Sequence, residues 1–168
     1  MMASLLTHGN IQKSKVLKYY FPNQRKIDSL AEEESQLSYI KKLPFVNLVN
    51  IIPYMHDASI WFSRDNNDVL IRFWTDYHED EIGILSGSFR FVDAKMYGFQ
   101  RVLKSGHIGK FNKDIKNLSW GYEEFYRVNN SHCLTLIVFD ESHSNYKTGM
   151  YGLLVTITFG DLVVESNL

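Results

Sequence analysis

Six consecutive residues, Asp76-Tyr-His-Glu-Asp-Glu81, set four carboxylates beside a phenol and an imidazole. Carboxylates at this density suit a hard divalent cation such as Mg²⁺ or Ca²⁺, and His78 would extend the choice to a transition metal. The spacing argues against that chemistry. The run lacks the Asp-x-[Asp/Asn]-x-[Asp/Asn]-Gly pattern with a distal Glu that wraps a calcium ion. Recognition suits it better, because an acidic loop steers a basic partner by long-range attraction and Tyr77 can supply an aromatic anchor. Asp76, Tyr77, His78, Glu79, Asp80 and Glu81 are therefore the candidate partner-binding residues, with no metal and no cofactor expected.

Other reactive groups are weaker. Lys104-Ser-Gly-His-Ile-Gly-Lys110 offers glycine amides and flanking lysines of the kind that cradle phosphate. It is not a P-loop: Gly106 and Gly109 are separated by two residues instead of four, and Phe111 follows Lys110 where Ser or Thr is needed. A flexible basic loop over Lys104–Lys116 is the reading. A nucleic-acid module there would need Arg101 and the N-terminal basic residues on the same face. His132 and Cys133, with Asp140, Glu141 and His143 nearby, contain ligand types, but strand alternation puts His132 and Cys133 on opposite faces. Cys133 reads as a small core residue and His56-Asp57 as an ordinary polar pair. Ser86-Gly87-Ser88 lacks the Gly-x-Ser-x-Gly elbow of a serine hydrolase. The enzymatic alternative is a pocket between helix and sheet in which His78 or His107 works with a carboxylate.

Positioning these groups falls to strands. Val69-Leu-Ile-Arg-Phe-Trp74 and Ile82 through Val92 alternate and flank the acidic run, which predicts a hairpin with a charged tip. Val69, Ile71 and Phe73 share one face, with Leu70, Arg72 and Trp74 on the other. In the next strand Leu85, Gly87, Phe89 and Phe91 oppose Ser86, Ser88, Arg90 and Val92. Gly83 and Gly87 mark a bulge or a close backbone approach. Outward Trp74 or Tyr77 near the acidic tip would favour a protein interface. Ser59–Phe62 and the turn Arg64–Asn67 precede this hairpin, and Tyr97–Leu103 extends the sheet. Cys133–Phe139 and Leu153–Phe159 are further strands, the second closing through Gly160-Asp161 into a final hairpin with Leu162–Glu165. Upstream, Ser29-x-x-Glu32 is a capping box for a helix running to Lys42 and stopped by Pro44, and Phe45–Ile52 is a candidate second helix ended by Pro53.

The expectation is an α+β fold: an antiparallel sheet of about five to seven strands with N-terminal helices packed on it. At 168 residues and 45% hydrophobic content, one domain over residues 1–168 suffices, helical to about residue 55 and β-rich from about 58. Eighteen basic against 19 acidic residues leave no global positive field, so nucleic acid is an unlikely partner and charge must act locally. One cysteine excludes an intramolecular disulfide, and no apolar run reaches the ~20 residues of a membrane span, so a cytoplasmic location is expected.

The segments Asp68-Val-Leu-Ile-Arg-Phe73, Ser88-Phe-Arg-Phe-Val-Asp-Ala94 and Thr158-Phe-Gly-Asp-Leu-Val-Val-Glu165 resemble small cytoplasmic immunity proteins of bacterial polymorphic-toxin systems of the contact-dependent inhibition type. The resemblance spans roughly residues 58–165 and rests on style, a strand meander with acidic loops. It implies a non-enzymatic protein that binds one cognate toxin and blocks it, presenting an acidic surface to a basic toxin domain.

Overall fold

The computed structural model describes residue 38 and residues 40–77, 83–103, 108–111, 117–140 and 150–168. Alternation of apolar and polar side chains from Ser59 onward is satisfied by antiparallel ladders that bury every second residue. Strand β1 (Ser59–Asp65) turns through Asn66 and Asn67 into β2 (Asp68–Tyr77), which pairs along its length with β3 (Gly83–Val92). Asn66 takes φ 55°, a left-handed backbone that asparagine tolerates well.

Asp93 (φ 47°) and Ala94 lead into β4 (Lys95–Leu103), on which the short β5 (Ile108–Lys110) pairs. A second meander follows: β6 (Leu118–Val128), a turn through Asn129 (φ 54°) and Asn130, β7 (Ser131–Asp140) and β8 (Met150–Phe159). Gly160 alone joins β8 to β9 (Asp161–Ser166).

Among the described residues these nine strands form one sheet in the order β5-β4-β8-β7-β6-β1-β2-β3-β9. The two meanders join where Ser59 faces Ser119 and Ile60 faces Leu118, extended by bonds between the Trp120 backbone and Asp57 and Ala58. They also meet on the other side. β3 pairs with β9 and β4 with β8, and one register carries across the bend, from Val92 opposite Asp161 to Lys95 opposite Thr158. The sheet therefore coils into a closed, barrel-like form, with β3–β4 and β8–β9 acting as two bent ribbons.

Inward side chains from both meanders make a single core. Phe89 reaches Trp120 across the interior at 5.3 Å between ring centroids, and Phe73 and Phe159 pack on Phe89 and Phe91. Phe62 of β1 meets Phe99 of β4 edge-on at 5.3 Å. One end is closed by the segment 40–55, whose Ile40, Leu48, Ile51 and Met55 are fully buried, while Phe45 stacks near His132 and Phe159. β7 is buried on both faces from Cys133 to Val138, so its apolar run is continuous instead of alternating.

The fold corrects the α+β expectation of five to seven strands carrying N-terminal helices. The protein is predominantly antiparallel β, and the one α-helix with described bounds, α1 (Leu48–Ile51), is a single turn continued as a 3₁₀ turn over Ile52–Tyr54. Pro53 lacks the amide that an α-helix would need there, and Asn47, left-handed at φ 67°, lets the helix start only at Leu48. The expected helix from Ser29 to Lys42 lies mostly outside the described residues.

Two strands escaped the sequence reading. In β6 a bulge at Gly121, between Trp120 and Tyr122, breaks the alternation. A Cβ at Gly121 would sit 2.6 Å from the Ile137 carbonyl oxygen, so the chain there admits only glycine. β5 has three residues and falls within the expected basic loop.

The hairpin expected between β8 and β9 does not form. Instead Gly160 donates its N–H to the Val92 carbonyl at 3.0 Å, marking a corner at which the strand passes from β4 as neighbour to β3.

Candidate protein-interaction face

Residues 72, 74 and 76 leave β2 on the side opposite Ile71, Phe73 and Thr75, which are buried, and so point outward. Cross-strand registers assemble rows on this outer face. Trp61, Arg72, Ser88 and Glu165 line up over β1, β2, β3 and β9. Ser59, Trp74 and Ser86 form the next row, and Asp76 opposite Ile84 the last before the acidic segment. Trp61 (54% exposed), Trp74 (42%), Ile84 (54%) and Val163 (42%) make this the face on which large apolar side chains remain in water. Such an accumulation marks an interaction surface more often than a lone exposed leucine would.

Of the six candidate partner-binding residues, Asp76 is exposed at the end of β2, and Tyr77 closes the strand opposite Gly83. His78, Glu79, Asp80 and Glu81 lie outside the described residues, in the segment joining β2 to β3. Gly83 has φ 72° with open space where a Cβ would stand, so it serves the exit from that segment. Trp74 stands on the same face as Asp76, one alternation away. Sequence alternation places Arg72 and Trp74 outward. It does not single out Trp61, Ile84, Val163 or Glu165, although a tryptophan on the polar side of an alternating strand is a readable signal.

Charge on this face is uneven. Arg90 is held by Asp65 at 3.1 Å and Asp68 at 3.3 Å, an arrangement that raises its pKa, and Asp68 also accepts the Asp93 N–H at 3.1 Å. This network pins the β1–β2 turn to the β3–β4 corner, assisted by a 2.7 Å bond from the Ala94 N–H to the Asn67 carbonyl. Neither Arg72 nor Glu165 makes an ion pair among the described residues. Beside Trp61 lies a notch of ≈190 Å³ lined by Ser59, Ile60, Asn117 and Leu118. That volume is below the ~300 Å³ of the smallest usual ligand pockets, so it fits a protruding side chain better than a substrate.

The remaining candidates disperse. His132 faces inward between Phe45 and Phe159 while Cys133 faces the other side, so the two do not converge. Burial lowers the His132 pKa, Arg127 across the strand pair lowers it further, and Asp161 opposes both. Its Nδ1 is buried with no hydrogen-bond partner. Cys133 is fully buried and burial raises its thiol pKa, as expected of a core cysteine and not of a nucleophile.

His56 and Asp57 form an exposed pair at 3.1 Å. Trp120 Nε1–H donates to a carboxylate oxygen of the half-buried Glu123 at 2.7 Å, so this acid is met by an indole. No cluster of three or more metal-ligating side chains occurs among the described residues, and no described helix is long and apolar enough to cross a membrane. The other histidine of the enzymatic alternative, His107, also lies outside the described residues.

Comparison with protein-family models, with curated proteins and with solved structures finds no match.

Proposed function

We propose that the protein is a non-enzymatic binding module that neutralises a cognate toxin in the cytoplasm, docking a basic toxin domain on the acidic end of the β2–β3 hairpin. The observation that carries this reading is the exposed Trp74 beside Asp76, at the end of a ladder paired without a break from Val69–Phe91 to Tyr77–Gly83. A rigid ladder holds Trp74 and Asp76 at low entropic cost, and an indole beside a carboxylate combines an anchor with steering charge. The resemblance to immunity proteins supplies the class of partner, and among the described residues His132 and Cys133 face opposite sides of their strand.

The test begins with the gene neighbourhood: a toxin domain found encoded beside this chain's gene serves as the ligand, and a neighbourhood without one counts against the reading. Glu79, Asp80 and Glu81 replaced together by lysine slow association by about tenfold or more at low salt, with the wild-type rate falling as salt rises. Unchanged association kinetics would remove the acidic segment from the interface. Failure of the intact chain to protect cells against that toxin would end the immunity reading.

A further inference from the structure

The outer face of β1, β2, β3 and β9 carries one more feature, an uncommitted cation and an uncommitted anion set symmetrically about one strand. Arg72 on β2 and Glu165 on β9 both pair in register with Ser88 of β3. Both are exposed, and neither has an ionic partner among the described residues. Neighbouring strands lie 4.7–4.9 Å apart, so the two charges flank β3 at about 10 Å from one another.

We propose that this face joins two copies of the chain, stacked sheet on sheet about a two-fold axis along β3, with Arg72 of each copy against Glu165 of the other. Such an axis exchanges β2 of one copy with β9 of the second at the same level along the strand. One rotation therefore satisfies both charges twice, as an isologous interface requires. It also sets Val163 over the already buried Leu70 of the second copy and brings the two exposed Ile84 side chains together on the axis, removing the apolar surface of Val163 and Ile84 from water.

Arg90 meets its own counterpart on the axis, but Asp65 and Asp68 already neutralise it. Polyanions are poor alternatives for Arg72, because Glu165 and Asp76 stand on the same face. Under this axis β2 lies over β9 and β3 over β3, and with six residues in β9 the overlap is on the order of 350 Å² per copy. That is below the range of a stable specific interface and implies a weak, transient dimer that dissociates at about 100 µM or above. The inference does not rest on toxin binding, but Trp74 lies between the Arg72 and Ile84 rows, so a toxin anchored there would compete with the second copy.

Sedimentation equilibrium of the full chain from about 1 to 500 µM reads the assembly directly. Arg72→Glu and Glu165→Arg each weaken dimerisation about 100-fold or more, because like charges then face each other at both symmetry-related contacts. The double variant Arg72→Glu/Glu165→Arg recovers dimerisation to within about tenfold of wild type, since the pair is only reversed. Ser88→Trp, on the axis, gives a monomer by bulk without adding a charge beside Arg72 or Glu165. Far-UV circular dichroism verifies that all variants are folded. A monomeric wild type over the whole range overturns the proposal. So does a dimer indifferent to the single reversals, or a double variant no better than either single one.

Discussion

Replacing Gly87 by alanine tests whether β9 really closes on β3. A Cβ at Gly87 would overlap the Glu165 carbonyl oxygen and stand 2.8 Å from Phe73 Cζ and 2.9 Å from Ser166 Cα. Two of those three atoms are backbone of β9, so no rotamer change relieves the clash. If β9 stays in place, the overpacking costs about 1–3 kcal/mol.

If its end peels away instead, three bonds go. They are Ser86 N–H to Asn167 Oδ1 at 2.8 Å, Asn167 N–H to the Ser86 carbonyl at 3.1 Å, and Asn167 Nδ2–H to the Ile84 carbonyl at 2.8 Å. At about 1 kcal/mol each, that route costs about 3 kcal/mol. The chain takes the cheaper route, and alanine returns about 0.4–1 kcal/mol by restricting the unfolded chain. Gly87→Ala should then lose about 1–2 kcal/mol, a fall of roughly 3–6 °C in Tm for a chain of this size.

Gly98→Ala is the control, because no atom lies within 4 Å of its Cβ position, and it should be neutral or up to about 1 kcal/mol stabilising. Urea unfolding at 25 °C measures both, and hydrogen exchange over Leu162–Asn167 locates the damage. A Gly87→Ala protein as stable as Gly98→Ala, with β9 amides equally protected, would refute the closure.

Two further outcomes follow from buried titratable groups. His132 has a folded pKa below its unfolded value, so the unfolded chain binds the extra proton first and stability must rise with pH. The contribution is complete above about pH 6.5 and is lost as pH falls through the folded pKa. His132→Phe fills the same space between Phe45 and Phe159 without a buried unpaired nitrogen, so its urea stability should fall less than the wild type's between pH 7.5 and pH 5. Parallel pH curves would contradict the assignment. Cys133, fully buried with its thiol pKa raised by desolvation, should react with a thiol reagent at pH 8 at least about 100-fold more slowly in the native protein than in denaturant. Equal rates would show that the face carrying it opens freely.

Much of the sheet is legible because alternation is local. The faces of β2 and β3 follow directly from Val69–Trp74 and Leu85–Val92, and Gly87 reads as a close backbone approach. The turn at Asn66-Asn67 has its counterpart at Asn129-Asn130, each with its first asparagine in the left-handed region, yet β6 before the second turn stayed hidden. Its Gly121 bulge shifts the period, bringing Trp120 and Glu123 to one face despite their odd spacing. The candidate site was legible at Asp76, Arg72 and Trp74 and dark at Glu165, whose neighbour across the sheet is far away in sequence.

By itself the sequence determined which side each residue of β2 and β3 presents, that Cys133 is core, and that charge acts in local blocks. A period of two says which way a side chain points and nothing about which strand lies alongside. Only the tertiary structure decided that β9 leaves β8 at Gly160 to pair with β3, and that β6 closes on β1. Those pairings are set by the packing of one shared interior, where Phe89 meets Trp120 and Phe91 meets Phe159. They also carry Glu165 to the row of Arg72 and Trp61, turning three strands' separate outward residues into one surface.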